Sequence, residues 1–415
     1  MDGAVRRNEW TFISVKGSEK IMNIKGFSFS AVEAGIRYPN RLDLGLIHSD
    51  IPCVTAGVFT TSQVKAAPVL LDKDRLKGGY AQAILVNSGC ANACTGEKGM
   101  EAARVTSALL SMSLGIPETM IQLASTGVIG EQLNLQAFEN GIPKLVEGLS
   151  PDNFELVAKA IMTTDTVQKI AQRTVKIGDK EIKLLGMAKG AGMIMPNMAT
   201  MLAFVITDAR IVFPELHKSL SHGVARTFNR ITIDGDTSTN DMVLVMANGI
   251  AENRWIDGDS AEDRKVFQDA LEQLLMDLAL QIVGDGEGAT KTITIKVCGA
   301  KEEDEAEQIA RTVATSNLVK TAFFGEDANW GRIMAAMGRS GVKFSPDRVD
   351  IAFGDAAIVK KGLGLGKEAE KAATLVLKEK SFTVCIDLND GKACAEVFTC
   401  DFSIDYVKIN ADYRS

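Results

Sequence analysis

Hydrophobic and polar positions along this chain follow two different periods, and each change of period marks an element. Residues 83–86 form a short apolar strand that runs straight into the small, polar stretch 87–96. After Gly96, apolar residues recur at helical spacing through Ala102, Val105, Leu109 and Leu110. Ser150-Pro151 has the form of a helix start, a capping residue followed by proline, and leads into 154–161. Residues 181–187 read as a strand, and 201–206 as another that is apolar on both faces. The clearest helices are 214–230 and 262–283.

Gly-Asp-Gly-Glu-Gly (284–288) ends the second of these helices and feeds a strand over 291–297, a break that predicts a domain boundary. Beyond it, 302–319 reads as helical, 348–353 as extended and 368–378 as helical. Segments 381–388 and 393–402 flank Asn-Asp-Gly-Lys (389–392), which signals a hairpin. The predicted class is mixed α/β. An N-terminal arm (1–25) precedes an α/β core (26–285) and a smaller α+β domain (286–415).

Composition narrows the function. A chain of 415 residues, 46% hydrophobic and 24% charged, can bury a large core. Its net charge of −7 argues against nucleic-acid and anionic-membrane partners. No uninterrupted apolar run is long enough to span a bilayer and no apolar segment opens the chain, so the expected compartment is the cytoplasm. Seven cysteines, odd in number and without a CxxC pair, read as reduced thiols rather than a disulfide framework or zinc site. The three histidines, His48, His217 and His222, are not near a candidate nucleophile in sequence. The expected chemistry uses neither imidazole nor metal.

Several loops hold candidate chemistry. The Gly-rich stretch 284–291 follows a helix and precedes a strand, the wrong order for a phosphate cradle, but Glu287 within it suits a cationic ligand. Residues 362–367 lie between strand and helix but lack either nucleotide-loop spacing. The stretch 234–241 imitates an EF-hand loop and fails at Thr239 and Val245, leaving a polar turn suited to a pocket wall.

Two sites could carry acyl chemistry. A Thr126-Gly127 turn can aim a hydroxyl and an N–H at one spot, as an oxyanion hole requires. At Ala199–Thr200, a Gly- and Met-rich loop ends at a small residue and a Thr opens an apolar strand. Cutting that bond frees an α-amine that can act as the base for its own Thr hydroxyl. On residue type alone, an ordinary turn and an ordinary strand start are the favoured explanations of the two sites.

The segments taken together are more specific. Ala-Gly-Val-Phe-Thr-Thr (56–61), Val-Lys-Ala-Ala-Pro-Val (64–69), 87–96, 125–130, Thr-Thr-Asp-Thr (163–166), 189–200, 234–241, 286–291, 325–332 and 410–415 occur in the order of the ornithine acetyltransferase family. The chain resembles that family, also called glutamate N-acetyltransferase, from about Gly26 to its last residue. Cys90 stands where family members more often carry Asn.

The resemblance implies a self-cleaving, N-terminal-nucleophile-like acyltransferase fold, cut between Ala199 and Thr200. An α chain (1–199) and a β chain (200–415) would assemble further as a heterotetramer. It implies Thr200 as nucleophile, Thr126 and Gly127 as oxyanion hole, and Thr163, Lys189, Thr200, Glu287, Asn410 and Ser415 as substrate contacts. The implied reaction moves an acetyl group from N2-acetylornithine to glutamate, releasing ornithine and then N-acetylglutamate, without a cofactor. Some members also take the acetyl group from acetyl-CoA; no residue decides this here, and the reading leans towards a bifunctional enzyme. The alternative reading is an N-terminal-Thr aminopeptidase or amidase with water as acceptor.

Overall fold

The computed structural model describes residues 20–195 and 201–412. Its first sheet takes β1 (Phe27–Val32), β2 (Leu44–Phe59), β3 (Tyr80–Asn87), β4 (Ile121–Ser125), β5 (Lys169–Ile177), β6 (Lys180–Lys189) and β7 (Leu202–Thr207). After the short β8 (Ile231–Thr232), β9 (Met242–Ala247) completes it. The strand order is β4-β3-β2-β9-β7-β6-β5, with β1 also on β2. The second sheet contains β10 (Thr292–Ala300), β11 (Asp350–Phe353), β12 (Ala356–Lys360), β13 (Leu363–Gly364), β14 (Ser381–Asp387) and β15 (Ala393–Cys400). Its order is β13-β12-β11-β14-β10-β15-β8, so β8 brings a piece of the earlier chain into the later sheet. The architecture is mixed α/β on two sheets.

The central strands show why continuous apolar runs form here. In β7, Ala203 and Val205 enter one core while Leu202, Phe204 and Ile206 enter another. In β9, Val243, Val245 and Ala247 alternate in the same way with Met242, Leu244 and Met246. Both faces are covered, so neither face needs polar residues. Helices Phe213–Arg226 and Ala261–Gly284 cover the first core, and helix Phe154–Ala160 packs into the second. Burial of each large side chain in these strands contributes about 1.5–3 kcal/mol. β10, by contrast, alternates buried and half-buried residues, because only one face packs on the C-terminal helices.

Four expectations need correction. Segments 381–388 and 393–402 do form strands, but not a hairpin, because β10 lies between β14 and β15 and pairs with both. The turn residues instead close over the end of β10: Leu388 N–H donates to Cys298 O and Asp390 N–H to Gly299 O. Asn389 takes the left-handed φ of 50° that the turn chemistry anticipated. Second, 302–319 is broken into helices Glu303–Ala314 and Asn317–Phe324.

Third, Ser150 caps no helix. It exchanges backbone hydrogen bonds with Phe29, at 2.9 and 3.0 Å, and the helix begins at Phe154. Fourth, the cysteines are not all free thiols. Cys298 and Cys394, on the adjacent strands β10 and β15, are joined in a disulfide with their Cα atoms 4.1 Å apart. Cys53, Cys90, Cys94, Cys385 and Cys400 are free. No helix among the described residues is long and apolar enough to cross a membrane.

Candidate active site

The site is built from strand ends and the loops that leave them. β4 ends at Ser125 and the chain turns through Thr126 and Gly127, where backbone bonds lock the turn: Thr126 N–H donates to Asn87 O, and Val128 N–H to Gly89 O. Gly127 adopts φ 128°, and a Cβ there would run into the backbone of Gly89 and Cys90. The position therefore requires glycine. The Gly127 N–H donates to no described residue, so it is available to an incoming oxygen. The Asn240 side chain ties the turn to the ground beneath it, donating to Ser125 O at 2.8 Å and Ala91 O at 2.6 Å.

Lys189 ends β6 with its side chain buried. Its ammonium donates to the Thr163 hydroxyl at 2.8 Å and the Thr126 hydroxyl at 3.3 Å. Burial pushes the Lys189 pKa down, while the nearby Asp165, Asp241 and Glu287 carboxyls oppose that shift. Because Thr126 Oγ1 accepts from Lys189, its own hydrogen stays free to donate.

Glu287 lies on the loop after helix Ala261–Gly284, with its N–H on Ala191 O at 2.7 Å. Its carboxylate accepts from Asn410 Nδ2 at 2.8 Å and sits over Gly192, where a Cβ would collide with it. Asn410 is on the C-terminal helix Ile404–Ala411, which Ser403 starts by accepting from Asp405 N–H and donating to Gly288 O.

Thr126, Gly127, Thr163, Lys189, Glu287 and Asn410 thus line one cavity of about 260 Å³. Met201 and Leu202, which open β7, line it too. Ala199, Thr200 and Ser415 lie outside the described residues. Residues 238–241 form a wall of the cavity, the position suggested for that polar turn. Asp234, in the same loop, accepts from Met193 and Ile194 N–H at 2.6 and 2.9 Å and pins the Gly- and Met-rich segment. Among the described residues, no group of three or more His, Cys, Asp or Glu side chains could hold a metal ion.

Sequence reasoning missed the charge cluster behind the cavity. Asp165 accepts from Lys169 Nζ at 2.6 Å, Gly190 N–H at 2.7 Å and Thr163 N–H at 2.9 Å. Asp285, just past helix Ala261–Gly284, pairs with the same Lys169 and accepts from Thr166 N–H at 2.9 Å. Burial pushes the Asp165 carboxyl up, but Lys189, Lys169 and the hydrogen bonds outweigh it and hold the pKa at about 2. The Asp165–Lys169 spacing of four residues is visible in the sequence; Asp285 is 116 residues away from Lys169 and gives no local signal.

At Cys90, the residue that departs from the resembled family, the thiol donates to Glu131 O at 3.3 Å. Asn87 Nδ2 holds the Cys90 carbonyl at 2.9 Å.

The arginine biosynthesis bifunctional protein ArgJ of Desulfotalea psychrophila is 68% identical over 396 residues, 95% of this chain and all of that protein. The protein of the same name from Geobacter sulfurreducens is 51% identical over 394 residues, again 95% of this chain and all of its own length. Among solved structures, an ArgJ protein from Bacillus halodurans is 44% identical, covering 51% of this chain and 99% of that one, with TM-score 0.49. An ornithine acetyltransferase from Mycobacterium tuberculosis, complexed with ornithine, is 33% identical over 43% of this chain and 93% of that one, with TM-score 0.38. The ArgJ family model matches residues 28–415, so with relatives this similar along nearly its whole length the chain belongs to the ArgJ family of arginine biosynthesis enzymes.

Proposed function

We propose that this chain is a glutamate N-acetyltransferase that moves acetyl from N2-acetylornithine to glutamate on Thr200. The observation that carries this reading is the convergence of Thr126, Gly127, Thr163, Lys189, Glu287 and Asn410 on one cavity that Met201, the residue after Thr200, also lines. Scission after Ala199 gives Thr200 an α-amine with an ordinary pKa of about 7.7–8.0, so part of it is neutral and can take the hydroxyl proton. Thr200 Oγ attacks the acetyl carbonyl. The oxyanion is met by the Gly127 N–H and by the Thr126 hydroxyl, whose hydrogen the Lys189 contact leaves free. Ornithine departs, and the glutamate amine takes the acetyl group from the Thr ester.

In this reading Lys189 faces a substrate carboxylate and Glu287, steadied by Asn410, faces a substrate ammonium. Ser415 joins this proposed set of substrate contacts on the family resemblance alone. No cofactor is needed, because the enzyme carries the acyl group itself. In the bifunctional form of this reading, acetyl-CoA serves as a second donor. We assign the reaction to the cytoplasm and the assembly to a heterotetramer of two α and two β chains.

A denaturing gel with intact masses tests the reading on wild type and Thr200→Ala. Two fragments meeting at 199/200 are expected from the first and one uncut chain from the second. An uncut wild type that still transfers acetyl would overturn it. Release of acetate from acetylornithine that glutamate does not suppress would favour the amidase instead.

A further inference from the structure

The charge cluster behind the cavity grips the backbone of the cavity wall and does not itself line the cavity. Asp165 accepts from the N–H groups of Thr163 and of Gly190, the residue after Lys189. It thus fixes both residues that meet a substrate carboxylate. Asp285 takes the next stretch, accepting from Thr166 N–H at 2.9 Å, Val167 N–H at 3.3 Å and the Thr166 hydroxyl. The wholly buried Lys169 joins the two acids, with its ammonium 2.6 Å from Asp165 and 2.5 Å from Asp285.

The other end of the cavity hangs from the same cluster. Asp285 stands two residues before Glu287, whose N–H is held by Ala191 O at 2.7 Å. One helical turn before Asp285, the Gln281 side chain accepts from Ile170 N–H and donates to Ile170 O, each at 3.0 Å. The last turn of helix Ala261–Gly284 is thereby pinned to the start of β5. Thr163 and Lys189 cannot draw away from Glu287 without breaking buried ionic contacts. A carboxylate at a helix C-terminus also opposes the helix macrodipole, so Asp285 does not serve the helix that it ends. Its bonds go instead to Lys169 and to the 166–167 backbone.

We propose that Lys169 and Asp285 act as a ruler: by fixing the span from Thr163 and Lys189 to Glu287, they set the side-chain length of the acetylated diamino acid that the site accepts. Both are positioning residues, and neither touches the substrate. The inference rests on the proposed acetyl transfer, with the substrate carboxylate at Lys189 and its ammonium at Glu287. A donor one methylene longer, N2-acetyllysine, cannot satisfy both ends of a fixed span. One methylene is worth about 10–200-fold in kcat/KM when the site does not yield. A site whose two ends were held by separate, mobile loops would adjust to the longer donor and lose that discrimination.

The test is the ratio of kcat/KM for N2-acetylornithine to that for N2-acetyllysine, with glutamate as acceptor, in wild type, Asp285→Asn and Thr166→Val. Wild type should favour acetylornithine by about tenfold or more. Asp285→Asn keeps the shape and removes the charge facing Lys169, and should lower that ratio by about threefold or more. A merely structural loss would slow both donors alike and leave the ratio where it was, so a smaller fall overturns the proposal. If Asp285→Asn does not melt cooperatively, Thr166→Val decides, since it removes only the hydroxyl bond to Asp285. A ratio lowered by about twofold or more then supports the proposal, and a smaller change overturns it. A wild type that takes both donors equally well overturns it too. A wild type that transfers acetyl from neither donor is a different result, and counts against the acetyl-transfer reading itself.

Discussion

Asn410 Nδ2 reaches Glu287 Oε2 at 2.8 Å, and this bond ties the C-terminal helix Ile404–Ala411 to the loop leaving helix Ala261–Gly284. A hydrogen bond to a charged group contributes about 1.5–3 kcal/mol, and less where it is partly exposed, as here. Asn410→Ala should therefore weaken ornithine binding by roughly tenfold in calorimetry. The melting temperature should stay within a few degrees of wild type. Unchanged affinity would remove Asn410 from the substrate's surroundings.

Gly192 makes a separate test of Glu287. A Cβ at 192 would collide with the carboxylate, the mobile end of a side chain, so the chain should fold with Glu287 pushed aside. Gly192→Ala should raise KM for acetylornithine more than it lowers kcat. Steady-state kinetics with unchanged KM would show that Glu287 does not hold the substrate.

Helical spacing gave Ala261–Gly284 to within a residue at each end and the start of Gly96–Leu114, though it was read only as far as Leu110, because apolar residues recur at helical spacing in both. The turn at 389–392 was legible as a turn, since Asn389 and Gly391 carry that information locally. Its strand partners were not, since the insertion of β10 between β14 and β15 is a long-range choice that no local residue records. Likewise Thr126, Gly127 and Glu287 were visible as loop chemistry. Asp241 and Asp165 were not singled out, because what distinguishes them is burial beside Lys189, and burial is set by the fold.

Gly127→Ala should damage both stability and rate. The substitution combines an unfavourable φ of 128° with a collision against the Gly89 and Cys90 backbone, neither of which can yield cheaply. We expect a loss of about 1–3 kcal/mol in urea unfolding, the usual scale for backbone strain. The rate of acetyl transfer should fall by roughly a hundredfold or more, as for a lost oxyanion donor. Gly130→Ala is the comparison: its φ is also positive, at 89°, but open space surrounds it, so transfer should be much less affected. Equal losses in the two variants would mean that strain alone, and not the oxyanion turn, is being measured.

Asp165→Asn should destabilise the chain by about 3–5 kcal/mol near neutral pH, the usual result of breaking a buried ion pair. The pH dependence has a definite sign. With its folded pKa near 2 against an ordinary 3.8, Asp165 contributes its stability in full above about pH 4 and loses it as the pH falls towards 2. The gap between wild type and variant in urea midpoint should accordingly shrink over that interval. A gap that stays constant would show that the carboxylate's charge is not what Lys169 and Lys189 respond to.

The order β4-β3-β2-β9-β7-β6-β5 has a consequence for maturation. β7 and β9 follow the 199/200 junction, and every other strand of that sheet precedes it. Two neighbouring strands of the later fragment are thus threaded between three strands and two strands of the earlier one. Without them the earlier fragment would face a gap of about 14 Å, three strand spacings, that nothing of its own could fill. Each fragment is the other's template, so the halves made separately have no sheet to assemble on. If the chain is cut at this junction as proposed, the cut has to follow folding of the whole chain, and the interleaved strands keep the two fragments together.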